Sequence, residues 1–212
     1  MNHLLPVTAV AVLMMSSVAI ADDVVDNDTA KQWFWSISGG ITAWENLGDI
    51  ESIAGDGFDD VGLGFEFALH KRVTQWGSAD VLIGVDLGFF GTDSDIRGLY
   101  SDLVMRGLYL TPSVKLGFGE RSRFFLEAGA GWYNVDFAEF NCYTLYTYCF
   151  EPEVAFEANA LGAYLGFRVP LGRVAFLGFR AHQADFGQVS GIDSAADRLE
   201  GPFYTLFVGA GF

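Results

Sequence analysis

The sequence predicts an all-β protein, an eight-stranded antiparallel transmembrane β-barrel, and three observations carry that expectation. Eight segments alternate apolar residues with small or polar ones at every second position, the period of a strand with one apolar face. They follow an export signal. The connections between them alternate long and short, as in a barrel whose turns lie on one side of a membrane and whose loops lie on the other.

The export signal comes first. Leu4 to Met15 is an apolar run too short for a membrane helix, and Ala19-Ile20-Ala21 is a small-x-small cleavage pattern, so residues 1–21 are expected to be removed before Asp22. No Cys stands at the cut, so a lipoprotein anchor is not expected. About 190 residues remain, enough for one domain. Residues 22–32, acidic and without apolar periodicity, read as a periplasmic lead-in, and 33–212 read as the barrel. Although 51% of the chain is hydrophobic, no later window offers the ~20 consecutive apolar residues of a spanning helix. A soluble β-sandwich is the competing architecture. Alternations of about ten residues together with the aromatic content weigh against it.

The first strand, 33–45, sets Trp33, Trp35, Ile37 and Ile41 against Ser36, Ser38 and Thr42. The second, 59–70, alternates most cleanly, with Val61, Leu63, Phe65, Phe67 and Leu69 opposite Gly62, Gly64, Glu66, Ala68 and His70. A turn at 71–78 leads to the third, 79–90, where Ile83, Val85 and Leu87 oppose Gly84, Asp86 and Gly88. The fourth, 104–118, contains Pro112, which removes a ladder donor and predicts a bulge or local break. The fifth spans 123–137 and the sixth 155–169. Pro170-Leu171-Gly172 makes a tight turn into the seventh, 173–186, and the eighth, 202–212, ends on the aromatic Phe212. An even number of strands puts both termini on the periplasmic side.

Charge agrees with that orientation. The long loops carry Asp49, Glu51, Asp56, Asp93, Asp95, Glu151, Asp193 and Asp197, while the short turns carry Lys71, Arg72, Arg121, Arg123 and Arg173. A net charge of -15 argues against nucleic acid as a partner.

Alternation also sorts the charges within the strands. Glu66, Asp86, Lys115, Glu127, Arg168, Arg180 and His182 share the phase opposite the apolar one. A base facing lipid at mid-depth costs roughly 2–4 kcal/mol, so that phase must face the lumen. Eight strands enclose only enough room for side chains, so these groups are expected to pair as a polar plug. With the second turn centred near residue 75, Glu66 falls close to Gly84 and Asp86, and Arg180 is the base expected between the two carboxylates. Lys115 and Glu127 face each other across the turn near residue 121, with Arg168 at similar depth. The inward glycines leave space for Tyr109, Tyr133 and Tyr164. The other readings of this cluster are a proton or ion path and a small gated pore.

In the third long loop, Cys142 and Cys149 flank Tyr143-Thr-Leu-Tyr146-Thr-Tyr148. An even, close pair of cysteines in an exported chain predicts a local disulfide. Tyr143, Tyr146 and Tyr148 would then sit at the tip, as a recognition surface or as support for an extended hairpin. No metal or cofactor motif is present, and the acidic loops lack EF-hand spacing.

Gly178-Phe179-Arg180, Asp185-Phe186-Gly187, Leu199-Glu200-Gly201-Pro202-Phe203 and the terminal Phe212 resemble the final hairpin of the OmpA-like and opacity-type outer-membrane barrels. That resemblance implies the barrel fold, a bacterial outer-membrane location among lipid and lipopolysaccharide, and Phe212 as the signal read by the barrel-assembly machinery. No peptidoglycan-binding domain is expected after the barrel. The resemblance does not transfer a function, because such barrels serve as anchors, adhesins and lipid-modifying enzymes. The expectation is a monomeric, non-enzymatic barrel with a structural or adhesin-like role toward an extracellular ligand or host surface. The alternative class is a lipid A-modifying hydrolase or acyltransferase, with His182, Ser190 and Glu200 as its candidate residues.

Overall fold

The computed structural model describes residues 33–45, 61–94, 101–119, 124–143, 148–149, 153–188 and 198–211. Every regular element in them is a strand: β1 (Trp33–Trp44), β2 (Val61–Trp76), β3 (Ala79–Ser94), β4 (Ser101–Phe118), β5 (Phe124–Tyr143), β6 (Tyr148–Cys149), β7 (Glu153–Pro170), β8 (Ala175–Gln188), β9 (Arg198–Glu200) and β10 (Phe203–Gly211). β6 pairs with the end of β5, and β9 precedes β10 as a second partner of β8. The ring therefore counts eight members, running β10-β1-β2-β3-β4-β5-β7-β8 and closing where β8 pairs with β10. All pairings are antiparallel, and β1 meets β10 in an unbroken register from Ser36↔Gly211 to Trp44↔Phe203. The expected signal and lead-in, Phe212, Ser190 and Tyr146 lie outside the described residues.

Alternation divides the wall as the apolar phase requires. Ile37, Phe67, Val85, Leu110, Leu126, Leu165, Leu177 and Leu206 are all exposed, a continuous apolar belt around the barrel. Such a belt has no stable contact with water and fits the hydrocarbon of a bilayer. No helix long and apolar enough to cross a membrane occurs among the described residues.

Two hairpins differ from the sequence expectation. β2 does not end at His70. It continues to Trp76 and turns at Gly77-Ser78, where Gly77 adopts φ 62°. A two-residue hairpin loop needs a left-handed residue, and glycine supplies it without a Cβ clash. With the turn at 77–78 and a one-residue shift of the ladder between Arg72 and Thr74, Glu66 lies opposite Gly88 rather than beside Gly84. At Pro112 the expected local break forms, without a bulge. The ladder to β5 lapses between Leu110↔Trp132 and Ser113↔Gly129 without changing register, while the β3 side stays paired through Val85↔Pro112. The missing N–H is thus accommodated on one flank only. Finally, β5 runs beyond residue 137 to Tyr143, and β7 begins at Glu153, so this hairpin is longer than its apolar alternation indicates.

Candidate functional site: the barrel interior

The inward phase builds two stacked layers. Toward the long loops lies an aromatic cluster in which Trp44 stacks on Phe203 (centroids 4.3 Å) and Phe203 stacks on His182 (4.5 Å), with Phe90, Tyr109, Tyr133 and Phe186 packed around them. Beneath it, nearer the short turns, lie the charges. Glycine makes the layering possible: a Cβ at Gly88 would collide with the ring of Tyr109, and one at Gly129 with the ring of Tyr164.

All seven inward polar residues named from the sequence are buried, Arg180 and Asp86 completely. Arg180, from β8, donates Nε to Glu127 Oε1 at 2.7 Å and Nη2 to Glu127 Oε2 at 3.1 Å, and its Nη1 contacts Glu66. Arg168, from β7, donates Nη2 to Glu66 Oε1 at 2.7 Å, Nε to Glu127 Oε2 at 2.8 Å and Nη1 to Ser36 at 3.0 Å. Lys115, from β4, places Nζ 3.5 Å from both Asp86 Oδ1 and Glu127 Oε2. Two separate pairs were expected, one centred on Arg180 and the other on Lys115. They are instead a single network, because each guanidinium spans the narrow lumen and touches two carboxylates. Arg180 does come within 3.6 Å of Asp86, but its closer contacts are to Glu66 and Glu127.

Hydroxyl and aromatic groups complete the network. Tyr109 donates to Glu66 at 2.7 Å, Tyr164 donates to Asp86, and Arg180 and Arg168 lie over the faces of Tyr164 (4.2 Å) and Phe176 (4.6 Å) respectively. Both contacts supply cation–π attraction in a dry setting. His70 and Ser113 were not singled out as members. His70 Nε2 lies 2.8 Å from Ser113 Oγ and 3.7 Å from Asp86. Their inward parity was readable, but a turn beginning at residue 71 would have left His70 at the mouth rather than inside.

This Ser113–His70–Asp86 grouping lacks the arrangement of a nucleophilic triad, in which the carboxylate orients the ring nitrogen opposite the one facing the hydroxyl. Here both neighbours meet Nε2. His182 is equally enclosed, stacked on Phe203 with Nδ1 3.1 Å from the Tyr133 hydroxyl, while Glu200 lies on β9 with an exposed side chain. No group of three or more potential ligands with metal-holding geometry occurs among the described residues. A cavity of about 10 Å³, touching Ser38, Thr42, Glu66, Tyr109, Arg180 and Thr205, has room for about one water molecule.

No family model and no curated protein sequence matches the chain. Solved structures do resemble it. Ail, the attachment invasion locus protein of Yersinia pestis, aligns with 14% identity and a TM-score of 0.51 over 85% of this chain and 99% of its own. Ail in complex with the heparin analogue sucrose octasulfate aligns with 13% identity and a TM-score of 0.50 over the same shares. Neisserial surface protein A aligns with 11% identity and a TM-score of 0.49 over 85% of this chain and 96% of its own. The fold is that of the eight-stranded outer-membrane β-barrels. With its apolar belt, it places the chain in the bacterial outer membrane.

Proposed function

We propose that this chain is a non-enzymatic outer-membrane barrel with a plugged lumen, acting as a structural or surface-interaction protein rather than a pore. The observation that carries the reading is the interlocking of Glu66, Asp86 and Glu127 with Lys115, Arg168 and Arg180 beneath the aromatic cluster. An ion entering the lumen would have to displace buried partners, and a buried charge left unpaired costs several kcal/mol. Planar-bilayer recording of the folded barrel tests this, with little conductance expected; a large, steady current would overturn it.

The acidic loops bear on the ligand. Ail was crystallised with a polyanion, but a chain of net charge -15 repels polyanions and favours a cationic partner. The enzymatic alternative is tested by lipid A mass before and after expression. Unchanged lipid A is expected, and loss of an acyl chain dependent on His182 would replace the present reading.

A further inference from the structure

One cation in the outer wall has no anion beside it. Arg72 pairs with Asp80, Arg106 pairs with Asp136, and Lys115, Arg168 and Arg180 share the carboxylates of the lumen. Lys71 makes no ion pair among the described residues. It continues the outward row of Val61, Leu63, Phe65, Phe67 and Leu69 on β2, so its stem lies along the apolar belt. Its register neighbours are Trp33 on β1 and Ile83 on β3, and its Nζ stands 5.5 Å from the centre of the Trp33 ring. The unbroken apolar row ends at this point, and the short turn at Gly77-Ser78 follows a few residues on. Aromatic residues mark the same end of the wall. Three of the chain's five tryptophans, Trp33, Trp35 and Trp76, are exposed on β1 and β2 here, whereas Trp44 is inside the lumen and Trp132 sits beside Asn159 toward the long loops. Indoles collect where hydrocarbon gives way to lipid headgroups, and a lysine at that depth extends its ammonium to the same layer.

We infer that Lys71 and Trp33 form a binding site for the phosphate of an anionic glycerophospholipid in the leaflet on the short-turn side. The other strand cations find their anions on the protein, but the face that Lys71 occupies is the one lipid covers, and the phosphodiester is the anion lipid presents where the belt ends. The indole attracts the ammonium to its face and so fixes where the phosphate sits. Leu69 and Ile83, both exposed, give the acyl chains an apolar wall beneath it. A zwitterionic headgroup carries its own cation beside its phosphate, so a lipid with net negative charge is preferred. Asp22, Asp23, Asp26 and Asp28, which precede β1, are the competing anions. Lipid is favoured because Lys71 lies in the row that faces the bilayer. The site is on the outer wall and does not depend on whether the lumen is plugged.

The test places the folded, exported barrel in phosphatidylcholine nanodiscs containing a minor fraction of phosphatidylglycerol. Lipid retained on the protein after release into detergent is counted by native mass spectrometry. The wild type should keep phosphatidylglycerol in preference to phosphatidylcholine, and Lys71→Gln should lower that retention about fivefold. Lys71→Arg should restore most of it. Arg72→Gln removes the same charge one residue away, from a side chain already paired with Asp80, and should leave retention unchanged. Equal losses in the two glutamine variants would mean diffuse charge attraction and would overturn the site. A wild type without preference for the anionic lipid would overturn it too, the result expected if the acids before β1 supply the counterion. Should Lys71→Gln fail to fold, Trp33→Leu makes the same demand: loss of the indole must also lower retention, and full retention in that variant sinks the proposal.

Discussion

Arg180 of β8 holds Glu127 of β5 by a two-point contact across the lumen, Nε to Oε1 at 2.7 Å and Nη2 to Oε2 at 3.1 Å, with both side chains sealed from solvent. The fork geometry fixes direction as well as charge, which a lysine ammonium cannot reproduce. Arg180→Ala should therefore destabilise the barrel by roughly 3–5 kcal/mol, since Glu66 and Glu127 each lose one of their bases while staying buried. Arg180→Lys should recover only part of that loss. Urea unfolding in vesicles, followed by tryptophan fluorescence, checks both variants, and an unchanged midpoint in Arg180→Ala would show that the network carries no stability.

The faces of the strands were legible in the sequence because lipid enforces them. Glu66, Asp86, Lys115, Glu127, Arg168 and Arg180 had only one affordable direction to point, and alternation revealed it. Lys115 opposite Glu127 was also readable, because the connection between β4 and β5 is short enough to set the register. The partners across the lumen were not readable. They depend on the shift between Arg72 and Thr74, on the turn lying at Gly77, and on arginine side chains that reach strands far apart in sequence.

The glycine at 129 tests the filling of the lumen. Tyr164 occupies the space where a side chain at 129 would lie, and its hydroxyl is bonded to Asp86. Gly129→Val should push the ring aside, remove that bond and cost about 1–3 kcal/mol through overpacking. Pairing it with Tyr164→Ala should return part of the loss, because the added side chain then enters vacated space. A pair of variants whose losses simply add would count against the contact.

Leu165 lies on β7 six residues from Asn159 and six from the exposed Leu171 in the short turn that follows the strand, and its side chain is turned out into the belt. Leu165→Arg should destabilise the membrane-inserted barrel by roughly 2–4 kcal/mol. The same change at Leu161, nearer the polar row of Asn134 and Asn159, should cost about 0–1 kcal/mol. Equal costs at the two sites would contradict the depth implied by that row.

Phe212 continues the outward row of Tyr204, Leu206, Val208 and Ala210 in the sequence of the closing strand. On the proposal that this aromatic is read by the assembly machinery, its deletion should leave exported chain that inserts poorly. The measurement is the yield of protease-resistant, heat-modifiable barrel in outer-membrane fractions. A normal yield would remove Phe212 from that role.

The register at the top of the longest hairpin sets Cys142 directly opposite Cys149 and Tyr143 opposite Tyr148. Directly opposed antiparallel residues have Cα atoms about 4.5–5.5 Å apart, within the span a disulfide bridges. In an exported chain the two thiols are thus proposed to be oxidised to a bond across the hairpin. Maleimide labelling of the folded, non-reduced protein should find no free thiol, and labelling after reduction should find both. Because the bond closes only the tip of the hairpin, beyond the strands that carry the apolar belt, reduction should leave the barrel folded. It should instead act locally, raising proteolytic cleavage between residues 142 and 149. Two reactive thiols before reduction would refute the pairing, and a large fall in barrel stability after it would mean that the hairpin tip supports the membrane-embedded wall.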